Sequence, residues 1–398
     1  MQSNEKSIPL VTPGTIILWL LILLGAALAI FRFTQGLGAS TNLSDKFPWG
    51  LWIGVDVLSG VALAAGGFTI AAAVYIFNLK KYHPIVRPAI LTAFLGYTMV
   101  IVALLFDLGK PWNIWHPMIM WQHHSVMFEV GWCVMLYSTV LALEFSPAVL
   151  EKFKMHGLLK IIKAVTIPLV IAGIILSTLH QSSLGSLFLI VPDKLHAIWY
   201  TPLLPVMFFV SAVMVGLAMV TFEAFLSSKA FNRTLELDLL SGLAKAEIFV
   251  LFIYFALKMV DMGVRGSLPL AFQGTLEGNM FLLEIGLGVV LPFLLLCVPA
   301  VRTSRGGLFA SSLMVIAGLI INRMNMSVIG MLQGSNASYF PSWMEFAVTA
   351  AVIAGGLIAF RIAVKYFNVF PSHNEPDKIN NPHINRTSKM KEEPVLVN

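Results

Sequence analysis

This 398-residue chain predicts an all-α integral membrane protein with about ten transmembrane helices. Three observations carry that reading. Hydrophobic residues make up 58% of the chain and charged residues only 12%, about half the charge fraction usual in soluble domains. Mean hydropathy is +0.83. Runs of roughly 20 apolar residues, the length a helix needs to cross a bilayer, recur from one end to the other.

The first run, 14–33, follows the polar stretch MQSNEKSIPLVTPG. No small-residue cleavage site follows it and further spans come after, so it reads as a span and not as a removed leader. The second run, 47–78, is long enough to tilt or to begin with an interfacial turn at Phe47-Pro48-Trp49-Gly50. The remaining runs lie at 86–108, 123–146, 157–180, 199–226, 243–263, 279–300, 307–327 and 342–366. Trp49, Trp52, Trp112, Trp115, Trp121, Trp199 and Trp343 fall near predicted ends, where aromatic belts form. The expected organisation is a cytoplasmic N-terminus over 1–13, a ten-helix transmembrane domain over 14–366 and a polar, disordered cytoplasmic tail over 367–398. Spans two to five and six to nine suggest two four-helix bundles, with spans one and ten peripheral. Glu144 and Glu223, near the ends of spans four and six, sit in similar settings.

Lys80, Lys81, Arg87, Lys152, Lys154, Lys229, Arg233, Arg302 and Arg305 occupy one set of loops; Lys46, Lys110, Lys194 and Arg265 occupy the other. The positive-inside rule then places both termini in the cytoplasm. The net charge of +6 belongs to this asymmetry and suggests no nucleic-acid partner. The two cysteines, Cys133 and Cys297, stand alone in apolar runs, with no CxxC or Cys/His cluster. The expectation is therefore no iron–sulfur cluster, no c-type haem and no structural zinc in this chain.

Charged groups inside a bilayer cost about 2.5–3.5 kcal/mol each on insertion scales, so their positions carry functional information. Asp56, Asp107, His123, His124, Glu129, His180, Lys258, Asp261, Glu284, Arg323 and Glu345 fall in the outer half. Glu144, Glu223, Glu247 and Arg361 fall in the inner half, and the centre is nearly free of charge. Glu345, Arg361 and Glu247 read as end-of-helix groups that snorkel to the interface. Lys258 and Asp261, spaced i,i+3, read as a mutual pair. Asp56, Glu129 and His180 stand out as functional candidates. Glu129 and Glu144 lie about 60° apart around one helix and about 22 Å apart along it, with Tyr137 between. That face suits a proton route as well as it suits two unrelated interfacial acids.

The densest polar stretch beside a span is Ser177-Thr178-Leu179-His180-Gln181-Ser182-Ser183-Leu184-Gly185-Ser186. A quinone head group needs donors to its two carbonyl oxygens and a proton exchanger near neutral pH, a role that suits imidazole. The same residues also suit a helix C-cap and turn, with Gly185 supplying a positive φ.

Five blocks together resemble the NrfD/PsrC-like family: Phe47-Pro48-Trp49-Gly50-Leu51-Trp52-Ile53-Gly54, Tyr82-His83-Pro84-Ile85-Val86-Arg87-Pro88, Leu141-Ala142-Leu143-Glu144-Phe145-Ser146-Pro147, His180-Gln181-Ser182-Ser183-Leu184-Gly185-Ser186 and Tyr339-Phe340-Pro341-Ser342-Trp343. They are most similar to the ten-span, HybB-like subgroup of hydrogenase membrane subunits. The resemblance implies a multi-pass subunit of a respiratory complex in a bacterial or archaeal cytoplasmic (inner) membrane. It implies menaquinone or ubiquinone as the bound redox molecule and no haem or cluster of the chain's own. It also implies a ferredoxin-like iron–sulfur partner on the periplasmic face, with a hydrogenase, multihaem cytochrome or molybdenum enzyme beyond it. Carried residue by residue, it suggests His180, Asp56, Gln181, Ser182 and Asp107 as quinone-site candidates. Glu129, Glu144 and Glu223 are its proton-path candidates. Rival readings are a secondary transporter using intramembrane carboxylates, a b-type cytochrome with haem on His123, His124 or His180, and a purely structural anchor for a redox partner. Polar groups crowded outward, away from the midplane, argue against the transporter.

Overall fold

The structure, a computed structural model, describes residues 8–370 apart from Pro48 and Asn336. Residues 1–7 and 371–398, which hold most of the expected terminal segments, lie outside it. Among the described residues no strand forms, and ten helices are long and apolar enough to cross a membrane. They are α1 (Pro13–Gln35), α2 (Trp52–Ile76), α3 (Lys80–Asp107), α4 (Val126–Lys152), α5 (Thr166–Ser186), α6 (Leu204–Phe231), α7 (Leu237–Val264), α8 (Leu276–Cys297), α9 (Arg305–Ser335) and α10 (Trp343–Tyr366).

Helix ends follow local chemistry more than hydropathy. Thr12 caps α1 and Ser342 caps α10, each in a reciprocal capping box. Ser125, Thr275 and Ser304 accept the orphan amides that open α4, α8 and α9. Asn232 closes α6 in the left-handed region at φ 50°. These caps set ends that apolar composition leaves undefined; α4 runs on to Lys152, while the regular helix of α9 stops at Ser327 as expected and short helical turns carry the span to Ser335.

The fifth span differs most. In place of one helix over 157–180 there is a short helix, His156–Ala164, then a break at Val165, then α5. Gly185 has no positive φ; it lies in the last helical turn of α5. A Cβ there would stand 2.6 Å from the Leu204 carbonyl, so glycine lets α5 press against the start of α6. The positive φ expected there is thereby overturned, although α5 does end at Ser186 in a run of turns. The second span is irregular, as its length suggested: π-helical over Trp52–Ser59 and Ala72–Ile76, with a turn at 64–65.

α2 packs on α3, α3 on α4, α4 on α5, and α5 back on α2. Likewise α6 packs on α7, α7 on α8, α8 on α9, and α9 back on α6. α2 meets both α6 and α9, and α5 meets α6, which joins the two rings. α1 and α10 pair with each other and lie against α3. Arg361 Nε donates to the Pro9 carbonyl at 2.9 Å and Arg87 Nη1 to the Asn368 carbonyl at 3.0 Å. The segments before α1 and after α10 therefore lie at the same end of the molecule.

Where lipid is as apolar as leucine, helices associate through close packing at small residues. Gly288 on α8 faces Gly318 on α9 so closely that a Cβ on Gly318 would lie 2.1 Å from the Gly288 Cα. Gly318→Val is expected to push these helices apart and to lower stability by about 1–3 kcal/mol. Gly14→Ala, with nothing within 4 Å of the added Cβ, is expected to stay within about 0.5 kcal/mol. Thermal unfolding in detergent checks both.

Candidate functional site

His180 is fully buried where α3, α4 and α5 meet. Its Nδ1 lies 2.7 Å from the Leu176 carbonyl, an acceptor, so Nδ1 carries the proton. Nε2 is then the acceptor, and the Tyr97 hydroxyl on α3 donates to it. Tyr137 on α4 completes the group, edge-on to Tyr97 at 4.8 Å between ring centroids and 5.6 Å from the imidazole. Gln181 Nε2 donates to the Val61 carbonyl of α2 at 3.1 Å. Gln181 Oε1, Ser177 Oγ and the Tyr137 hydroxyl are buried without a hydrogen-bond partner. The result is a closely packed, fully buried polar group in which three further polar atoms stand around a bonded Tyr–His pair.

Tyr97 stands ten residues before the end of α3 at Asp107, about 15 Å along the axis. Tyr137 stands eleven residues into α4, about 17 Å. The His180 group is thus near mid-depth, deeper than the outer-face position expected for it. The outward crowding that argued against a transporter does not hold for this group.

The other quinone-site candidates lie elsewhere. Asp56 accepts from Thr349 Oγ1 of α10 at 2.8 Å and shares its surroundings with Asp107. Asp107, with Oδ1 unpartnered, sits beside Arg32, whose guanidinium donates to the Phe106 and Leu108 carbonyls at 2.7 and 2.6 Å. Next to them Glu345 takes hydrogen bonds from the Tyr339 hydroxyl and the Asn42 amide. Burial, and then Glu345, hold the Tyr339 phenol well above its ordinary pKa, so it stays a donor. This second group ties α1, α2, α3 and α10 together at the end away from the termini. Ser182 is half-buried, and its carbonyl accepts from Ser186 Oγ.

The proton-path candidates also separate. Glu144 follows Tyr137 by seven residues, the same face about 10 Å further along α4. It packs at Gly173 of α5, itself seven residues before His180, where a Cβ would lie 3.8 Å from Glu144 Oε1. His180, Tyr137 and Glu144 therefore line one seam between α4 and α5. Glu129 is exposed in the first turn of α4, at the rim. Glu223 Oε1 and Thr92 Oγ1, both unpartnered, border a void of about 10 Å³ between α2, α3 and α6, the room one water needs.

A third polar group escaped the sequence reading. Glu284 of α8 accepts from Trp199 Nε1, Asn322 Nδ2 and Asn325 Nδ2 at 3.0, 2.7 and 2.9 Å. Arg323 donates to Asn322 Oδ1 and Ser211 Oγ and lies 3.6 Å over the Phe208 ring. Arg323 lies in the last turn or so of the regular helix, which ends at Ser327 before short helical turns carry α9 to Ser335. The run Asn322-Arg323-Met324-Asn325 in an apolar helix was the available signal. Three further expectations are corrected. Asp261 bonds Arg265 and Thr201, while Lys258 lies buried over the Phe281 ring and is not its ion-pair partner. Glu345 and Glu247 are 0% and 2% exposed, so neither snorkels; each is enclosed by neighbouring helices.

No group of three or more metal-ligating side chains occurs among the described residues. His123 and His124 are exposed, and both His180 nitrogens are engaged.

Ten helices long and apolar enough to cross a membrane, with a buried imidazole–phenol pair well inside them, define a polytopic membrane protein. The chain belongs to the NrfD family: its profile, described as polysulphide reductase, NrfD, matches residues 39–333. The chain is 32% identical to the probable Ni/Fe-hydrogenase 2 b-type cytochrome subunit of Escherichia coli K12, covering 90% of this chain and 92% of that one. It is 28% identical to the menaquinone reductase integral membrane subunit of Nitratidesulfovibrio vulgaris Hildenborough, covering 86% and 87%. It is 22% identical to the Hdr-like menaquinol oxidoreductase integral membrane subunit of Archaeoglobus fulgidus, covering 83% and 87%.

Removing the Glu284 carboxylate strands three buried donors beside an arginine. Glu284→Ala is expected to cost about 3–5 kcal/mol, with Glu284→Gln milder, as read by unfolding in detergent.

Proposed function

We propose that this chain is the quinone-binding membrane subunit of a respiratory redox complex. In this reading it exchanges electrons between menaquinone or ubiquinone and an iron–sulfur partner on the face away from the termini. One observation carries the reading: the Tyr97–His180 pair, buried at mid-depth beside unpartnered oxygens of Gln181, Ser177 and Tyr137. A quinone carbonyl takes a hydrogen bond from the phenol, and a quinol hydroxyl gives one to an unprotonated imidazole nitrogen. In this reading the bond between Tyr97 and His180 opens toward the quinone, and the pair then offers both, as reduction by two electrons and two protons and its reversal require. The relatives named as menaquinone reductase and hydrogenase subunits support the same chemistry.

In this reading a hydrogenase, multihaem cytochrome or molybdenum enzyme feeds or drains the iron–sulfur partner, and the chain holds no haem or cluster. Protons travel along the Tyr137–Glu144 seam toward the termini, with Glu223 and its one-water void as a second station. The rings α2–α5 and α6–α9 are two four-helix bundles, with α1 and α10 peripheral. The cationic loops, and the placement of the segments before α1 and after α10 at one end of the molecule, support cytoplasmic termini in a bacterial or archaeal inner membrane.

Purification in mild detergent with mass spectrometry of bound lipids and proteins is expected to recover a quinone and an iron–sulfur protein. A chain carrying neither overturns the reading. Within the complex, His180→Leu is expected to lower quinone turnover about 100-fold and Tyr97→Phe about 10-fold, with Glu129→Gln unchanged. A loss in Asp56→Asn as deep as in His180→Leu would place the quinone beside Asp56, where α2 meets α10, instead.

A further inference from the structure

The helix His156–Ala164 has no residue buried by the rest of the protein, yet its two faces are sharply different. At 100° per residue, His156, Lys160 and Lys163 fall on one side. Leu158, Ile161, Ile162 and Val165 fall on the other. Leu158 is 47% exposed and Ile161 59%, so no protein covers the apolar side. Phe153 and Met155, in the turn that leads in, are bare as well, and Lys154 there adopts φ 55° to reverse the chain. Among the described residues the one ionic tie of the helix is at its back. Lys163 lies 3.7 Å from Glu151, which Arg87 holds at 2.9 Å. Lys152, Lys154 and Lys160 add positive charge with no acidic partner among the salt bridges of the described residues.

Position decides what covers this helix. It joins the end of α4 to the start of α5, one residue before α5 enters the bilayer. On α5 the residues Ile167, Ile171, Ile175 and Leu179, spaced by four, form an exposed apolar stripe. The bare apolar side of the short helix continues that lipid-facing stripe at its membrane end. A helix with this division of faces lies in the interface plane, its apolar side among acyl chains and its cations among headgroups.

We propose that His156–Ala164 with its lysine-bearing entry turn is a binding site for anionic phospholipid in the leaflet at the termini end. The lysine ammonium groups would hold the lipid phosphates, and Leu158, Ile161 and Val165 would rest on the chains. Such a site needs the membrane-spanning fold and is independent of the quinone reading.

The test uses the full chain in nanodiscs of mixed phosphatidylglycerol and phosphatidylcholine, with retained lipid counted by mass spectrometry after detergent extraction. Wild type is expected to retain phosphatidylglycerol in excess. Lys154→Gln with Lys160→Gln is expected to lower that excess about fivefold per charge removed. Lys46→Gln with Lys194→Gln, at the opposite end, should leave it unchanged. An excess that survives the first pair, or falls equally with the second, overturns the proposal. Nitroxide labels in a background with Cys133 and Cys297 replaced by Ala give a second readout. A label at Ile161→Cys should be accessible to oxygen, and one at Lys160→Cys to a water-soluble nickel reagent. Protection of both labels would mean that a protein partner, not lipid, covers the helix.

Discussion

A carboxylate or guanidinium inside the hydrocarbon layer has no water to turn to, so each must find its hydrogen bonds within the protein. That constraint organises this molecule. Arg32 spends its guanidinium on two carbonyls at the end of α3 and lies beside Asp107. Glu345 gathers a phenol and two backbone amides from two segments far apart in sequence. Glu284 gathers an indole and two carboxamides. Each of these groups ties together helices distant in sequence, so the polar residues fix which helices become neighbours. The glycine contacts then set how closely those helices approach.

The two rings of helices carry their polar centres in comparable places. Tyr97 is seventeen residues into α3, and Tyr254 is seventeen residues into α7. Around Tyr97 stand His180 and Tyr137; beside Tyr254 stand Arg323 and Glu284. One centre is built from groups that trade protons without taking fixed charge. The other is built from a cation and an anion locked by amides and a ring. Fixed charges bonded to several neighbours hold a bundle together, although Arg323 Nε and Asn325 Oδ1 stay unpartnered there. The imidazole–phenol pair, with three idle oxygens around it, leaves a good deal for a visitor. This contrast is why the quinone reading centres on the first ring.

The spans were legible because a bilayer imposes length and apolarity, and composition alone reports both. Helix ends were less so, since Ser125, Ser304 and Asn232 act through backbone geometry that hydropathy does not see. His180 was legible as a lone imidazole in a polar stretch. Tyr97 was not, because a tyrosine in an apolar run carries no charge to mark it; its importance comes from facing His180 across two helices. Asp56 was legible as a buried acid, but its partner Thr349 lies 293 residues away and gives no local sign. The helix His156–Ala164 was merged into the fifth span because Leu158, Leu159, Ile161 and Ile162 continue its hydropathy. Lys160 and Lys163, three residues apart, were the signal that the run lies along the membrane and does not cross it.

Depth gives the proposed chemistry its energetic meaning. The Tyr97–His180 pair lies about 15 Å from one end of α3 and about 20 Å from His83 near the other. Electrons reaching a quinone there come from a partner on one face, whereas its protons have a choice of side. Moving one elementary charge across the full membrane is worth about 2.3 kcal/mol per 100 mV, so a half-crossing is worth about half that. Protons drawn along the Tyr137–Glu144 seam would travel opposite to the electrons in charge, and the reaction would do electrical work or consume it. Protons drawn from the partner's face would cancel the electrons and leave the potential untouched. Glu144 is the residue on which these alternatives divide. It sits half-buried about 10 Å below Tyr137 on the same helix face, toward the end where both termini meet. Among the described residues it serves no ion pair, which leaves it free for the proton-path role proposed for it.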